Sequence, residues 1–171
     1  MTKVRLDAGG CTADGLHAIR RLMAASLPYA PHIAVDFSAA EVERFEGAVQ
    51  VRQGKEWKPL GLSIRTASYC SLQVQFLADV EQLVTQLCAT GEYVRLRMFP
   101  LPLSREALAE WDVDGLWKEE VGENEVGTAA LVLKLVHDGT AIAIAAHQDL
   151  ATVIAPILDE IQSRSGQPPK G

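Results

Sequence analysis

The stretch LVLKLVHDGTAIAIAA, residues 131–146, constrains the fold more than any other part of the chain. Asp138-Gly139 suits a two-residue hairpin turn, whose central positions need backbone conformations that Asp and Gly tolerate. With that turn, His137 faces Thr140, Leu135 faces Ile142, Leu133 faces Ile144 and Leu131 faces Ala146, so the larger apolar side chains gather on one face. An antiparallel sheet is the expected frame. The same register carries His147 about 23 Å along the strand from Thr140 and onto the opposite face with Ala141, Ala143 and Ala145. His137 and His147 therefore cannot share a metal ion.

Period-two patterns recur upstream. VRLD and HIAVDF read as strands, and AVQVRQ, EWKPLGLSIRT and YCSLQVQFL read as a meander with a turn at Gly54. In the last of these, Cys70, Leu72, Val74 and Phe76 are expected on the core face, with Ser71, Gln73 and Gln75 on a wet face. EYVRLRMF is a further strand.

Helical spacing appears between these runs. Leu16, Ile19 and Met23 predict a helix from Ala13 to Ser26, capped by Thr12 and stopped before Pro28. Ser38 and Glu41 form a capping-box signature for a short helix with Val42 and Phe45, closed at Gly47. Asp79 is placed to cap a helix with Val80, Leu83, Val84 and Leu87, ended by Gly91; Ser104 caps one carrying Leu108 and Trp111. Asp149 leads a last helix through Leu150, Val153, Ile154, Ile157, Leu158 and Ile161, with Pro156 expected to kink it.

Together these define an α+β protein: a mainly antiparallel sheet with three to four helices packed mostly on one face. Residues 1–163 are expected to form a single domain, with 164–171 a flexible tail. The core should include Leu16, Ile19, Leu72, Val74, Phe76, Leu83, Leu87, Leu133, Ile144, Ile154 and Ile157. Shifting by seventy residues lays SLQVQFLADVEQLVTQLC on AIAIAAHQDLATVIAPIL, a strand-helix pseudo-repeat that would give a pseudo-symmetric sheet.

The formal charge of −6 is concentrated. Residues 106–125 hold Glu106, Glu110, Asp112, Asp114, Glu119, Glu120, Glu123 and Glu125 against Lys118 alone, while the rest of the chain is close to neutral. A surface for nucleic acid would need clustered cations instead. Tyr93, Arg95, Arg97 and Phe99 share one strand face, but two cations beside an acidic segment fit a covered or ion-paired face better. MTKVRLDAGG lacks the features of a secretory signal, and no apolar run is long enough to span a membrane. Three cysteines, Cys11, Cys70 and Cys88, with no C-x-x-C spacing, point to neither a disulfide framework nor a cysteine-rich metal site. A cytoplasmic protein in reducing surroundings, without cofactor or metal, is the expectation.

Two functional readings follow. In the first, Trp111 and Trp117 anchor an interface whose carboxylates Asp112, Asp114, Glu119, Glu120, Glu123 and Glu125 meet a basic protein partner. That describes a non-catalytic interaction module: an adaptor, a chaperone or an immunity-type inhibitor. In the second, a small enzyme or small-ligand-binding protein, the loop AGGCTADG places Cys11 at a helix N-terminus, where a thiolate or small anion is favoured, with His17 and His32 as candidate bases. Its spacing matches no phosphate-binding motif. DVDG at Asp112–Gly115 departs from the calcium-loop pattern, because glycine follows the second acid directly and Lys118 intrudes. A homodimer through an uncovered sheet edge is a further expectation.

Overall fold

The computed structural model describes residues 1–38, 50–53, 56–59, 63–65, 69–90, 93–109, 114–136 and 140–165. Ser38, the expected start of a short helix, instead ends a strand, its Oγ accepting from Tyr93 N–H at 3.3 Å; the rest of that expected helix to Gly47, the Gly54 turn and the Asp138-Gly139 turn lie outside these residues. In chain order the elements are β1 (Thr2–Leu6), α1 (Ala13–Ser26), β2 (His32–Ser38), β3 (Gln50–Gln53), β4 (Glu56–Pro59), β5 (Ser63–Arg65), β6 (Tyr69–Val74), α2 (Leu77–Thr90), β7 (Val94–Phe99), α3 (Arg105–Ala109), β8 (Leu131–Leu135), β9 (Ile142–Ala146) and α4 (Gln148–Ser165). Two short 3-10 turns, Asp114–Trp117 and Glu123–Glu125, follow α3.

Seven strands form one sheet in the order β1-β9-β8-β7-β2-β6-β5, with every neighbouring pair antiparallel, while β3 and β4 pair separately. The hairpin register agrees with the sequence: Leu131 faces Ala146, Leu133 faces Ile144 and Leu135 faces Ile142. Because side chains alternate across a strand, the sheet has two buried faces. Leu133, Ile144, Leu96, Val35 and Leu72 join Ile19, Leu22 and Met23 of α1, Leu83, Val84 and Leu87 of α2 and Leu150 and Ile154 of α4 in the main core. Val132, Ala143, Ala145 and Ala34 form a second cluster with Leu108 of α3 and with Val121 and Val126 beyond it. The three long helices thus share the main core, and the chain from α3 to Val126 contributes to the second cluster.

Several expected boundaries shift slightly. Thr12 caps α1 as expected, its hydroxyl accepting from Gly15 N–H at 3.2 Å, and Ser104 Oγ accepts from Ala107 N–H at 3.1 Å. Asp79 and Asp149 fall inside the first turns of α2 and α4 instead of at the caps. Phe76 is 53% exposed, because β6 stops at Val74 and the alternation that would have turned it inward stops with it. The expected tail overlaps α4, which continues to Ser165 and pairs Arg164 with Glu160 at 2.5 Å. The strand-helix echo is present in kind, β6 leading to α2 and β9 to α4. Each of those strands is second from an opposite edge of the sheet.

The loop entering α1 is a closed turn. Gly9 has φ +57°, its N–H donates to Thr140 O at 3.1 Å, and its carbonyl accepts from Thr12 N–H at 2.8 Å and Thr12 Oγ at 2.7 Å. A Cβ on Gly15 would lie 1.9 Å from the Gly9 carbonyl oxygen. Gly15→Ala is therefore expected to lose about 1–3 kcal/mol through overpacking, despite the roughly 1 kcal/mol that alanine gains in helix propensity. Urea unfolding checks this; a midpoint at or above that of the parent chain would show the loop to be freely adjustable.

Candidate functional site

The second sheet face carries a row of charges. Ser71 faces Asp36, Asp36 faces Arg95, and Arg95 faces Lys134, so adjacent strands β6, β2, β7 and β8 present them side by side. Arg97 lies one step along β7 on the same face. Asp36 Oδ2 accepts from Arg95 Nε at 3.0 Å and Arg97 Nε at 2.7 Å. Its Oδ1 accepts from Arg97 Nη2 at 3.0 Å and Ser71 Oγ at 2.6 Å. The fork-on-fork Arg97–Asp36 contact is the strong form of such a pair. All these side chains are fully buried.

The network continues into the segment that covers it. Arg97 Nη2 donates to the Leu108 carbonyl at 2.9 Å, holding the end of α3. Arg95 Nη1 donates to Glu125 Oε2 at 2.5 Å, and Glu125 Oε1 accepts from Lys134 Nζ at 2.9 Å and from Gly122 N–H at 2.8 Å. Lys134 Nζ also donates to the carbonyls of Gly115, at 2.8 Å, and Glu120. Three acceptors meet its three protons, which favours the charged form, yet burial pushes its pKa down and outweighs the help from Glu125. Residues 114–126 are thus a strap fixed to the sheet by their own backbone and by Glu125.

That geometry corrects one expected partner-binding residue. Glu125 faces inward and is fully buried, because two sheet cations, Arg95 and Lys134, compete for its carboxylate more effectively than water does. The remainder of the acidic segment divides. Trp111, Asp112 and the side chain of Asp114 lie outside the described residues. Trp117 is 43% exposed and stands edge-on to Tyr93, with ring centroids 4.4 Å apart. Glu119, Glu120 and Glu123 are exposed, and Glu119 accepts from Arg5 Nη1 at 3.1 Å. Lys3, Lys118, Glu119 and Glu120 line one open cleft beside it.

The cysteine loop is also corrected. Cys11 and Cys88 form a disulfide between the start of α1 and the end of α2, with Cα atoms 5.5 Å apart, so the expectation of no disulfide does not hold. Bonded Cys11 has no thiolate to act as a nucleophile. An odd count misled because the third cysteine, Cys70, is buried in the core and takes no part in the disulfide. His17 is exposed in a cleft with Asp7, Asp14, Arg21 and Arg164. His32 follows the opposite end of α1, whose 14 residues span about 21 Å, so it is not brought to Cys11.

The strip at Tyr93–Phe99 is a covered face: Arg95 and Arg97 are spent on buried carboxylates. The signal for this lay in single charges inside otherwise apolar strands, Asp36 in HIAVDF and Lys134 in LVLKLV. Among the described residues no helix is long and apolar enough to cross a membrane. Comparison with family models, curated proteins and solved structures finds no match. The class is therefore set by architecture alone: an α+β protein with a seven-stranded antiparallel sheet and an ion-pinned acidic strap.

Proposed function

We propose that the protein is a non-catalytic interaction module that presents its strap to a basic surface on a partner protein, in the manner of an adaptor, a chaperone or an immunity-type inhibitor. The observation that carries this reading is Trp117, held half-exposed against Tyr93 beside the exposed carboxylates of Glu119, Glu120 and Glu123. A large aromatic beside charge is the kind of anchor that dominates interfaces. The strap backbone is already fixed by Lys134 and Glu125, so little ordering cost remains on binding. Trp111 and Asp112 come just before the strap in the sequence, and Asp114 opens it. The enzyme reading that uses Cys11, His17 and His32 lacks a free thiolate in the disulfide form.

The test is a pull-down from native lysate at low and high salt. The baits are the parent chain, Trp117→Ala, and a combined Glu119→Gln, Glu120→Gln, Glu123→Gln variant that leaves Glu125 in place. A basic partner is expected on the parent, weakened by salt and lost from both variants while their unfolding midpoints stay near the parent's. Equal retention by all three baits would remove the strap from consideration.

A further inference from the structure

We infer that the open edge of β1 accepts an extended strand from a partner protein, one carrying acidic residues opposite Lys3 and Arg5 and an apolar residue opposite Val4. Among the described residues, β1 is the terminal strand of the sheet and pairs with β9 alone. Which of its backbone groups face outward follows from the next ladder. His147 N–H donates to Ala130 O and Val136 N–H to Ala141 O, so odd-numbered residues of β9 bond β8 and Ile142, Ile144 and Ala146 bond β1. Their partners are Leu6, Val4 and Thr2. The N–H and C=O groups of Lys3 and Arg5 are left pointing away from the sheet, ready for an added strand.

The two faces of this edge differ. On the helix side a groove of about 250 Å³ runs beside β1, lined by Val4, Ile144, Ala146, Ile154 and Leu158, with Asp159 at its rim. Val4 is half-buried there, and an apolar side chain opposite it would complete the burial. On the strap side stand Lys3 and Arg5, both exposed. Arg5 is met by Glu119 and, at 3.5 Å, by Asp7; Lys3 has no ion pair among the described residues.

Those two cations choose between occupants. A second copy added by a two-fold axis centred on Val4 sets Lys3 opposite Arg5, and one centred on Lys3 or on Arg5 sets that residue opposite itself. Like charges directly opposite are destabilising, and an edge lysine is a known guard against self-pairing. A strand with carboxylates at those positions converts the same feature into attraction. The edge adjoins the strap, since Glu119 accepts from Arg5, but its test turns on the Lys3 variants and a defined peptide, whereas the test of the strap turns on Trp117 and partner capture.

The probe is a short fluorescent peptide alternating Val and Glu, compared with one alternating Val and Lys, titrated by anisotropy against the whole chain. The parent is expected to bind the Glu peptide in preference, with slowed amide exchange at Lys3 and Arg5. Lys3→Glu should weaken it about tenfold and reverse the preference. Lys3→Pro removes only an outward N–H, a placement edge strands tolerate, and should abolish binding of both peptides. The combined Glu119, Glu120, Glu123 to Gln variant should keep the preference for the Glu peptide. Equal binding of the two peptides, absence of binding, or parent-like binding by Lys3→Pro would overturn the proposal. So would a sedimenting dimer that Lys3→Pro dissolves, which would give the edge to a second copy.

Discussion

Asp36→Asn is expected to lower the unfolding free energy by about 3–5 kcal/mol, as breaking a buried ion pair by removing one partner does. The change keeps the shape of the side chain and deletes its charge. Arg97 and Arg95 both donate to this carboxylate, and every side chain involved is fully buried. Arg95 retains Glu125, and Arg97 retains the Ala107 and Leu108 carbonyls and Ser71 Oγ, but both lose the carboxylate they share. A guanidinium cannot shed its proton to escape the cost. Ser71→Ala, which removes one hydrogen bond to the same carboxylate, should cost nearer 1 kcal/mol and gives a graded reading if the Asp36 variant does not fold. Pairing Asp36→Asn with Arg97→Met should cost less than the two changes summed, because both remove the same direct contact. Urea unfolding followed by circular dichroism measures the parent, these variants, Arg97→Met alone and the exposed reference Asp7→Asn. A loss no larger than that of exposed Asp7→Asn would mean that water reaches the network and that it does not pin the strap.

The parts of the fold that were legible in the sequence are local. The Asp-Gly signal and the flanking alternation were enough to set the register of β8 against β9, and Thr12 and Ser104 marked helix starts that hydrogen bonds confirm. What could not be read depends on strands far apart in the chain. Asp36, Arg95 and Lys134 look like wet-face residues within their own strands, and only the pairing of β2 with β7 and β7 with β8 lines them up. Glu125 looks like one acid among eight until that row exists to receive it. The fate of the acidic segment was thus hidden for a physical reason: its charge balance is settled by a sheet face built elsewhere in the sequence. Phe76 shows the opposite limit, where a local alternation was extended past the point at which the strand ends.

Loss of the Cys11–Cys88 bond is the second large effect expected. The bond closes 77 residues of chain, and loop-closure entropy for that length corresponds to roughly 4.5 kcal/mol. Removal of native disulfides commonly costs about 2–5 kcal/mol, so Cys11→Ser with Cys88→Ser should lower stability within that range, as should reductant acting on the parent. The double variant should then be insensitive to reductant, since Cys70 is not part of the disulfide. Thiol labelling of the denatured parent gives the direct count: one thiol without reductant, three with it. Three thiols before reduction would place the two sulfurs side by side without a bond. The same count, taken on protein alkylated inside the cell, bears on location, because a cytoplasmic chain is expected to be kept reduced and an oxidising compartment to hold the bond. In the reduced form Cys11 returns as an exposed thiol at the start of α1, and the fold must then rely on its core and on the buried network under the strap. The cost of reduction in Asp36→Asn therefore shows whether those two restraints act independently: additive losses mean separate supports, and a larger combined loss means that each holds the other's half of the sheet in place.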